Sequence, residues 1–373
     1  MKDEISGFRP GVLGQEQIEE LIRQKTIENA SDPGYSSLDL HLGSQCWRMK
    51  GGIKGLKDRA YSDVLIANTY AEPLDRLEVK KVILLPGSTY VFQLREELHV
   101  PKESGIFAFA TGRSSIGRLD ILTRLIADHS DTYDEVPQDY SGRLYLEVTP
   151  ITFPIQVSSG VALSHMRFFR GEPKLSQLKR EEFPYYPHLL FNEKGEPIKI
   201  ADDYYHLTLD LTPEDIGGEQ TSAFVAREDV GEKAIDLTTK SESIRPGDYW
   251  ERITAKEKEV LIEPERFYIF RSKERFKLPN HVAVFGQAVS ETLGELRIHY
   301  AGFVHPGFGS KRKDGRGTPL IFEVRVHNVR TFLRDSEALA KILFYKMSQP
   351  CNKIKKGDYE DQELALSKYF ASW

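Results

Sequence analysis

Residues 86–101 read Pro-Gly-Ser-Thr-Tyr-Val-Phe-Gln-Leu-Arg-Glu-Glu-Leu-His-Val-Pro, and residues 264–279 read Pro-Glu-Arg-Phe-Tyr-Ile-Phe-Arg-Ser-Lys-Glu-Arg-Phe-Lys-Leu-Pro. Pro86, Tyr90, Phe92, Leu98, Val100 and Pro101 match Pro264, Tyr268, Phe270, Phe276, Leu278 and Pro279 at a constant offset of 178 (264 minus 86). Further on, Leu144-Tyr145-Leu146-Glu147-Val148 is echoed by Leu320-Ile321-Phe322-Glu323-Val324. Ala162-Leu163 leading to Phe168-Phe169 is echoed by Ala338-Leu339 leading to Phe344-Tyr345. A repeat of this length is a duplicated domain, not a solenoid unit.

The texture within the repeat is that of strands. Ser37 to Leu42 alternates with period two, and strand candidates follow at 81–85, 89–94, 105–110, 143–149, 154–157 and 161–169. Pro86-Gly87 and Ser159-Gly160 punctuate them. Many short strands separated by turns predict a mainly β chain with sandwich-like or barrel-like cores. Before them, Leu13, Ile18, Leu21 and Ile22 mark one face of a short helix over Gln15 to Gln24. Polar, turn-rich sequence at 172–200 places the junction, giving domains at 1–190 and 198–373. The aromatic stretch Phe183-Pro184-Tyr185-Tyr186-Pro187 is expected to bridge them.

Composition agrees with two globular domains. The chain has 373 residues, 40% hydrophobic and 29% charged. No apolar run approaches the roughly 18 residues of a membrane span, and Met1-Lys2-Asp3-Glu4 opens no secretory signal. A net charge of -5 argues against a nucleic-acid binder but not against a nucleotide. The two cysteines, Cys46 and Cys351, are far apart and outside any Cys-x-x-Cys pair, which suits a reducing cytoplasm.

Gly112-Arg113-Ser114-Ser115-Ile116-Gly117-Arg118 carries the chemistry. Gly112 permits a close backbone approach. Ser114 and Ser115 are suited to cap a short helix at 115–119 whose free N–H groups would face an anion. Arg113 and Arg118 are suited to bidentate contact with phosphate, and the ordinary alternative is a capped surface turn. Glu147 sits among core-facing neighbours, as does Glu323. Such a carboxylate is either exposed on the outer strand face or buried as a general acid/base. Zinc nucleobase deaminases carry His-x-Glu and Pro-Cys-x-x-Cys, whereas this chain has Pro350-Cys351-Asn352-Lys353 and no His-x-Glu, so no metal ligand is assigned. No Gly-x-Ser-x-Gly elbow is present. The Lys356 to Gln362 stretch reads either as a solvated tail or as a lid in which Tyr359 and Gln362 close over a ligand.

Gly112-Arg113-Ser114-Ser115-x-x-Arg118, then Ala127, then Gly142-x-x-x-Leu146-Glu147, resemble the dCTP deaminases of the trimeric dUTPase superfamily. Ser37-Leu38-Asp39-Leu40-x-Leu42-Gly43, Ser159-Gly160-Val161 and Tyr359-x-x-Gln362 are similar to further motifs of that family. The resemblance implies two tandem distorted β-barrels of jelly-roll, dUTPase-like type with short helices, packed as a homo-oligomer with threefold or pseudo-threefold domain packing. It implies hydrolytic deamination of dCTP to dUTP and ammonia, feeding dUMP and thymidylate synthesis. A glutamate would activate the water without zinc, and Mg²⁺ would be carried by the triphosphate. It assigns Glu147, Ser114, Arg118 and Glu323 to catalysis, with Gly112, Arg113, Ser115, Ala127, Tyr145, Leu146, Tyr359 and Gln362 binding substrate. The expected partners are dCTP, or else dUTP or dTTP, with neither nucleic acid nor membrane.

The chain departs from the family pattern in two ways: it is tandem, and its second half lacks the phosphate motif. There it reads Gly286-Gln287-Ala288-Val289-Ser290-Glu291-Thr292-Leu293, without either arginine, and Glu291 and Glu295 would repel a triphosphate. One competent kind of site per chain follows. The sequence leaves open whether Glu147 or Glu323 faces Ser114, and the surroundings of Glu147 match the family better. Asp128 and Asp139-Tyr140 keep a dUTP diphosphatase, or a bifunctional enzyme, as an alternative. A non-catalytic nucleotide-binding regulator is the alternative of another class.

Overall fold

A computed structural model of the chain describes residues 9–67, 69–74, 81–231, 233–239, 244–288, 296–298, 302–326, 328–352, 357 and 359–373. The architecture is mainly β. In the first half, Ile121–Ala127, Ser141–Pro150, Thr89–His99, Leu38–Met49, Ala162–Arg170 and Ile106–Gly112 lie side by side in that order. In the second half, Phe267–Phe276 lies between Thr318–Val326 and Tyr205–Asp210. Ala338–Lys346 and then Val282–Ala288 continue that sheet.

The sequence repeat is therefore a repeat of pairings, and it extends to single hydrogen bonds. The Leu85 N–H donates to the Tyr90 hydroxyl at 3.2 Å, and the Glu263 N–H donates to the Tyr268 hydroxyl at 2.9 Å. Buried Glu96 accepts the His41 N–H at 2.9 Å, and buried Glu274 accepts the Thr208 N–H at 2.8 Å. His41 and Thr208 each sit where the ladder to the neighbouring strand slips register. A slip leaves backbone donors without a strand partner, and a buried carboxylate satisfies them.

Most predicted elements are present. The helix is Gln15–Arg23 and the Ser37 to Leu42 alternation lies in Leu38–Met49. The candidate at 89–94 runs on to His99 because alternating burial continues through Leu98. The Ile121–Ala127 strand and the Tyr61–Ile66 helix had no prediction.

The two halves interlock. Phe224, Trp250, Phe267 and Phe370 of the second half complete the first hydrophobic core. There the rings of Phe153 and Trp250 stand 5.4 Å apart. Ile235–Asp236 adds in parallel to Ile155–Val157 of the first half. Buried Arg325 donates to Asp120 and, at 2.6 Å, to the Thr152 hydroxyl.

The expected aromatic bridge is corrected. Phe183 packs edge-on against Phe344 at 5.5 Å inside the second core, and Tyr185 is 82% exposed. This stretch is tied to the second half because the Leu178 N–H donates to the Phe344 carbonyl and Glu182 pairs with Lys346. Leu178, Leu189 and Leu190 belong to the second core as well, upstream of the boundary expected at 190–198. Cys46 and Cys351 are buried and are not joined by a disulfide. Among the described residues, no helix is long and apolar enough to cross a membrane.

Candidate active site

The Gly112 to Arg118 segment leaves the Ile106–Gly112 strand and makes a single helical turn at Ser114–Gly117. Arg113 is its N-cap and no side chain caps it. Ser114 and Ser115 are thus helical residues and not the caps expected for a helix at 115–119, because the turn starts one residue earlier. Gly112 is needed where it stands, since a Cβ there would lie 2.9 Å from the Thr123 hydroxyl.

A cavity of about 320 Å³ opens beside this turn. First-half residues Ser37, Asp39, Arg113, Ser114, Ser115, Arg118 and His165 line it. The second half contributes Phe303, His305 and Phe308, with Tyr359, Gln362 and Lys368 from the C-terminal segment. Arg113 pairs with Asp39 at 3.2 Å.

Arg118 is 1% exposed and is gripped by the C-terminal segment. It donates to the Gln362 side chain at 2.7 Å and to the carbonyls of Ala365 and Leu366 at 3.1 and 3.3 Å. Its guanidinium lies 4.1 Å from the centre of the Tyr359 ring, a cation–π contact. The Ser367 hydroxyl donates to the Ser115 carbonyl at 2.7 Å. From Tyr359 onward the tail is packed against the motif and is not a solvated tail.

Glu323 comes from the Thr318–Val326 strand of the second half and has no exposed surface. It packs against the Ser114–Gly117 turn so closely that a Cβ at Gly117 would lie 2.8 Å from its carboxyl carbon. Neither carboxylate oxygen has a hydrogen-bond partner among the described residues, and the same holds for Nε of Arg118. Burial pushes the Glu323 carboxyl up to about 8; Arg118 opposes that shift and Asp120 adds to it. A carboxyl that titrates near neutrality can take up and release protons at working pH.

Within the chain, Glu147 lies away from the Ser114–Gly117 turn. Neither glutamate lines the cavity, but Glu323 packs on the turn that does and Glu147 does not. Instead the chain covers it with its own loop: a Cβ on Gly52 would lie 3.2 Å from its Oε2, and the Tyr133 hydroxyl donates to it at 3.4 Å. Burial raises its pKa, opposed by hydrogen bonds from the Ile53 N–H and Tyr133. Ala127, Tyr145 and Leu146 share this location; all three are buried away from the cavity, with Tyr145 against Tyr61 at 5.2 Å. Asp128, Asp139 and Tyr140 serve their own turns. Asp128 accepts the N–H groups of Tyr61 and Arg143, Asp139 accepts that of Glu103, and Tyr140 donates to the Arg143 carbonyl. None of these three lines the cavity.

The structure therefore unites Gly112, Arg113, Ser114, Ser115, Arg118, Glu323, Tyr359 and Gln362 and separates them from Ala127, Tyr145, Leu146 and Glu147. Asp39, His165 and His305 line the cavity without having been singled out. Asp39 lay within the Ser37 to Gly43 motif without a role assigned to it, and His165 and His305 stood outside every motif. Residues 289–295, which include Glu291 and Glu295, lie outside the described residues. Among the described residues, no group of three or more His, Cys, Asp or Glu side chains is placed to hold a metal ion.

Comparison with known proteins accounts for both halves. Residues 9–172 match the 2'-deoxycytidine 5'-triphosphate deaminase N-terminal domain, and residues 186–370 match the C-terminal domain of the same family. Among solved structures, the 2'-deoxycytidine 5'-triphosphate deaminase from Agrobacterium tumefaciens is similar, with 28% identity and a TM-score of 0.79 over 91% of this chain and 99% of that one. No curated protein sequence matches the chain significantly.

Proposed function

We propose, from the premise that this chain belongs to the 2'-deoxycytidine 5'-triphosphate deaminase family, that it deaminates dCTP at one site built from both of its halves. The observation that carries this assignment is the buried, unpartnered carboxyl of Glu323 against the turn that holds Ser114 and Arg118. In this reading the Glu323 carboxylate takes a proton from water as the oxygen adds to C4 of cytosine, and passes it to N3. A second proton moves from the new hydroxyl to the amino group, the C4–N bond breaks, and dUTP and ammonia leave. The Ser114 hydroxyl orients the water. Arg118, fixed by Gln362 and Tyr359, stabilises charge that develops at the ring in a site closed to solvent.

Arg113 and Ser115 face the phosphate chain, which enters as its magnesium complex with the ion riding on the substrate. The sequence lacks the paired-cysteine pattern of zinc deaminases, which favours a carboxylate as the proton carrier. The product dUTP would supply dUMP for thymidylate synthesis, in keeping with a cytoplasmic enzyme that works as a homo-oligomer.

The test is turnover of dCTP with Mg²⁺, following ammonia and dUTP, in the wild type and two variants. Glu323→Gln is expected to lower kcat by about 10²–10⁴-fold, with Glu147→Gln close to wild type. The reverse pattern would transfer the role to Glu147, and pyrophosphate release in place of ammonia would replace deamination with the diphosphatase.

A further inference from the structure

Behind the wall of the cavity lies a buried cation that the Glu323 chemistry does not use. Arg167 has no exposed surface and no carboxylate partner among its described contacts. Its guanidinium lies 3.9 Å from the centre of the Phe303 ring and 5.5 Å from that of Phe285, both from the second half. One of its terminal nitrogens donates to the Thr111 hydroxyl at 2.9 Å and to Nε2 of His165. Its Nε and other terminal nitrogen have no partner among the described residues.

His165 stands two residues before Arg167 on the Ala162–Arg170 strand, so both side chains leave the same face. Unlike Arg167, it reaches the cavity.

We propose that His165 is a phosphate-contacting residue of the nucleotide site, held by Arg167 as a neutral ring that donates from Nδ1. The inference rests on the reading of this cavity as the dCTP site and adds a residue to it. A guanidinium can only donate, so Nε2 of His165 must accept, and the ring's proton is placed on Nδ1. A second proton is disfavoured by everything around the ring. Burial and the cations Arg167 and Arg113, together with His305 from the facing half, all hold the imidazole well below its ordinary pKa. Phe303 meets it edge-on at 6.5 Å and brings no charge.

The ligand atom that suits Nδ1–H is an acceptor, and the potential there is positive, so an anionic oxygen fits better than a sugar hydroxyl. Arg167 is a positioning residue in this scheme. It touches no substrate but sets which nitrogen donates.

The test uses the full chain with His165→Phe and Arg167→Met. A hydrogen bond to a charged group is worth about 1.5–3 kcal/mol, so His165→Phe should weaken binding of dUTP by about ten- to a hundredfold. It should leave the affinity for uncharged deoxyuridine unchanged. Unchanged dUTP affinity, or an equal loss for deoxyuridine, overturns the assignment. Nitrogen-15 NMR of the wild type should show His165 protonated at Nδ1 near neutral pH; an Nε2-protonated ring overturns the role of Arg167. Arg167→Met should give a mixed tautomer and weaker dUTP binding while keeping or raising Tm, because it replaces an unpaired buried cation with an apolar side chain. A purely structural Arg167 would move Tm and leave the tautomer alone. Wild-type protein that releases no ammonia from dCTP would sink the function itself, whereas an active enzyme indifferent to His165→Phe would sink this inference alone.

Discussion

Glu147 and Glu323 occupy matching strand positions, and each is covered by a glycine, but the glycines come from different places. Gly52 belongs to the same half as Glu147, and Gly117 reaches Glu323 from the other half. The local sequence offers two equivalent glutamates, since the difference lies in a contact between residues about 200 positions apart, which no motif reports. The other polar members of the site were legible, because Gly-Arg-Ser-Ser-x-x-Arg is a contiguous turn. Gly117→Ala tests the contact: the added methyl collides with the Glu323 carboxyl, so dCTP turnover should fall by at least about tenfold for a misplaced catalytic group. The buried carboxyl also predicts a pH signature. Burial pushes its pKa up to about 8 from an ordinary 4.5, and the proposed reaction needs the carboxylate. The kcat/KM of the free enzyme should therefore rise with pH and level off above about 8. The folded state binds this proton more tightly than the unfolded one, so the stability that Glu323 contributes is present below the unfolded pKa. It is lost as pH rises through the folded value. Glu323→Gln should accordingly gain Tm over the wild type at about pH 9 relative to about pH 5; an equal difference at both would mean that the carboxyl titrates normally.

At the scale of elements, the C-terminal segment is fixed by charge. Glu363 accepts from Arg275 at 2.7 and 2.8 Å, from Arg312 at 2.5 Å and from Arg271 at 3.4 Å. Burial alone would raise its pKa, but these arginines more than offset it and hold the carboxyl below the usual range. The neighbouring Gln362 then has its Nε2 on the Pro319 carbonyl at 2.8 Å and its Oε1 on Arg118. Glu363 is half-buried against buried arginines, so removing it leaves part of their charge uncompensated. Glu363→Ala should thus loosen the tail, seen as faster C-terminal proteolysis with a raised KM for dCTP; a tail as resistant as in the wild type would exclude the anchor. These contacts join residues about 40 to 250 positions apart, which is why the sequence alone left lid and solvated tail open. Strands were more legible, since alternation and Pro-Gly punctuation are local. The Ile121–Ala127 strand escaped because it follows directly on a motif read for its chemistry, and the Phe183 stretch misled because aromatic composition does not say which core receives it.

A duplicated chain of 373 residues would ordinarily unfold as two domains, each with its own core. Here the first core is finished by the second half. Trp250 has no exposed surface and packs against Phe153 of the first half at 5.4 Å and against Phe267 of the second at 5.8 Å. Arg325 reaches from the Thr318–Val326 strand into the first half, where Asp120 and Thr152 receive it. The proposed chemistry asks for this rigidity, because Arg118 and Glu323 come from opposite halves and a small shift between them would misplace the proposed proton carrier. Coupling of this kind predicts one cooperative transition on heating, with calorimetric and van't Hoff enthalpies equal. Trp250→Ala should lower the whole transition by the roughly 3–5 kcal/mol of a buried aromatic and not split it. Two separate endotherms in the wild type would mean that the halves fold independently and that their alignment must be set by the substrate or by oligomer contacts. In that case Trp250→Ala should shift one endotherm only, and added dCTP analogue should draw the two together.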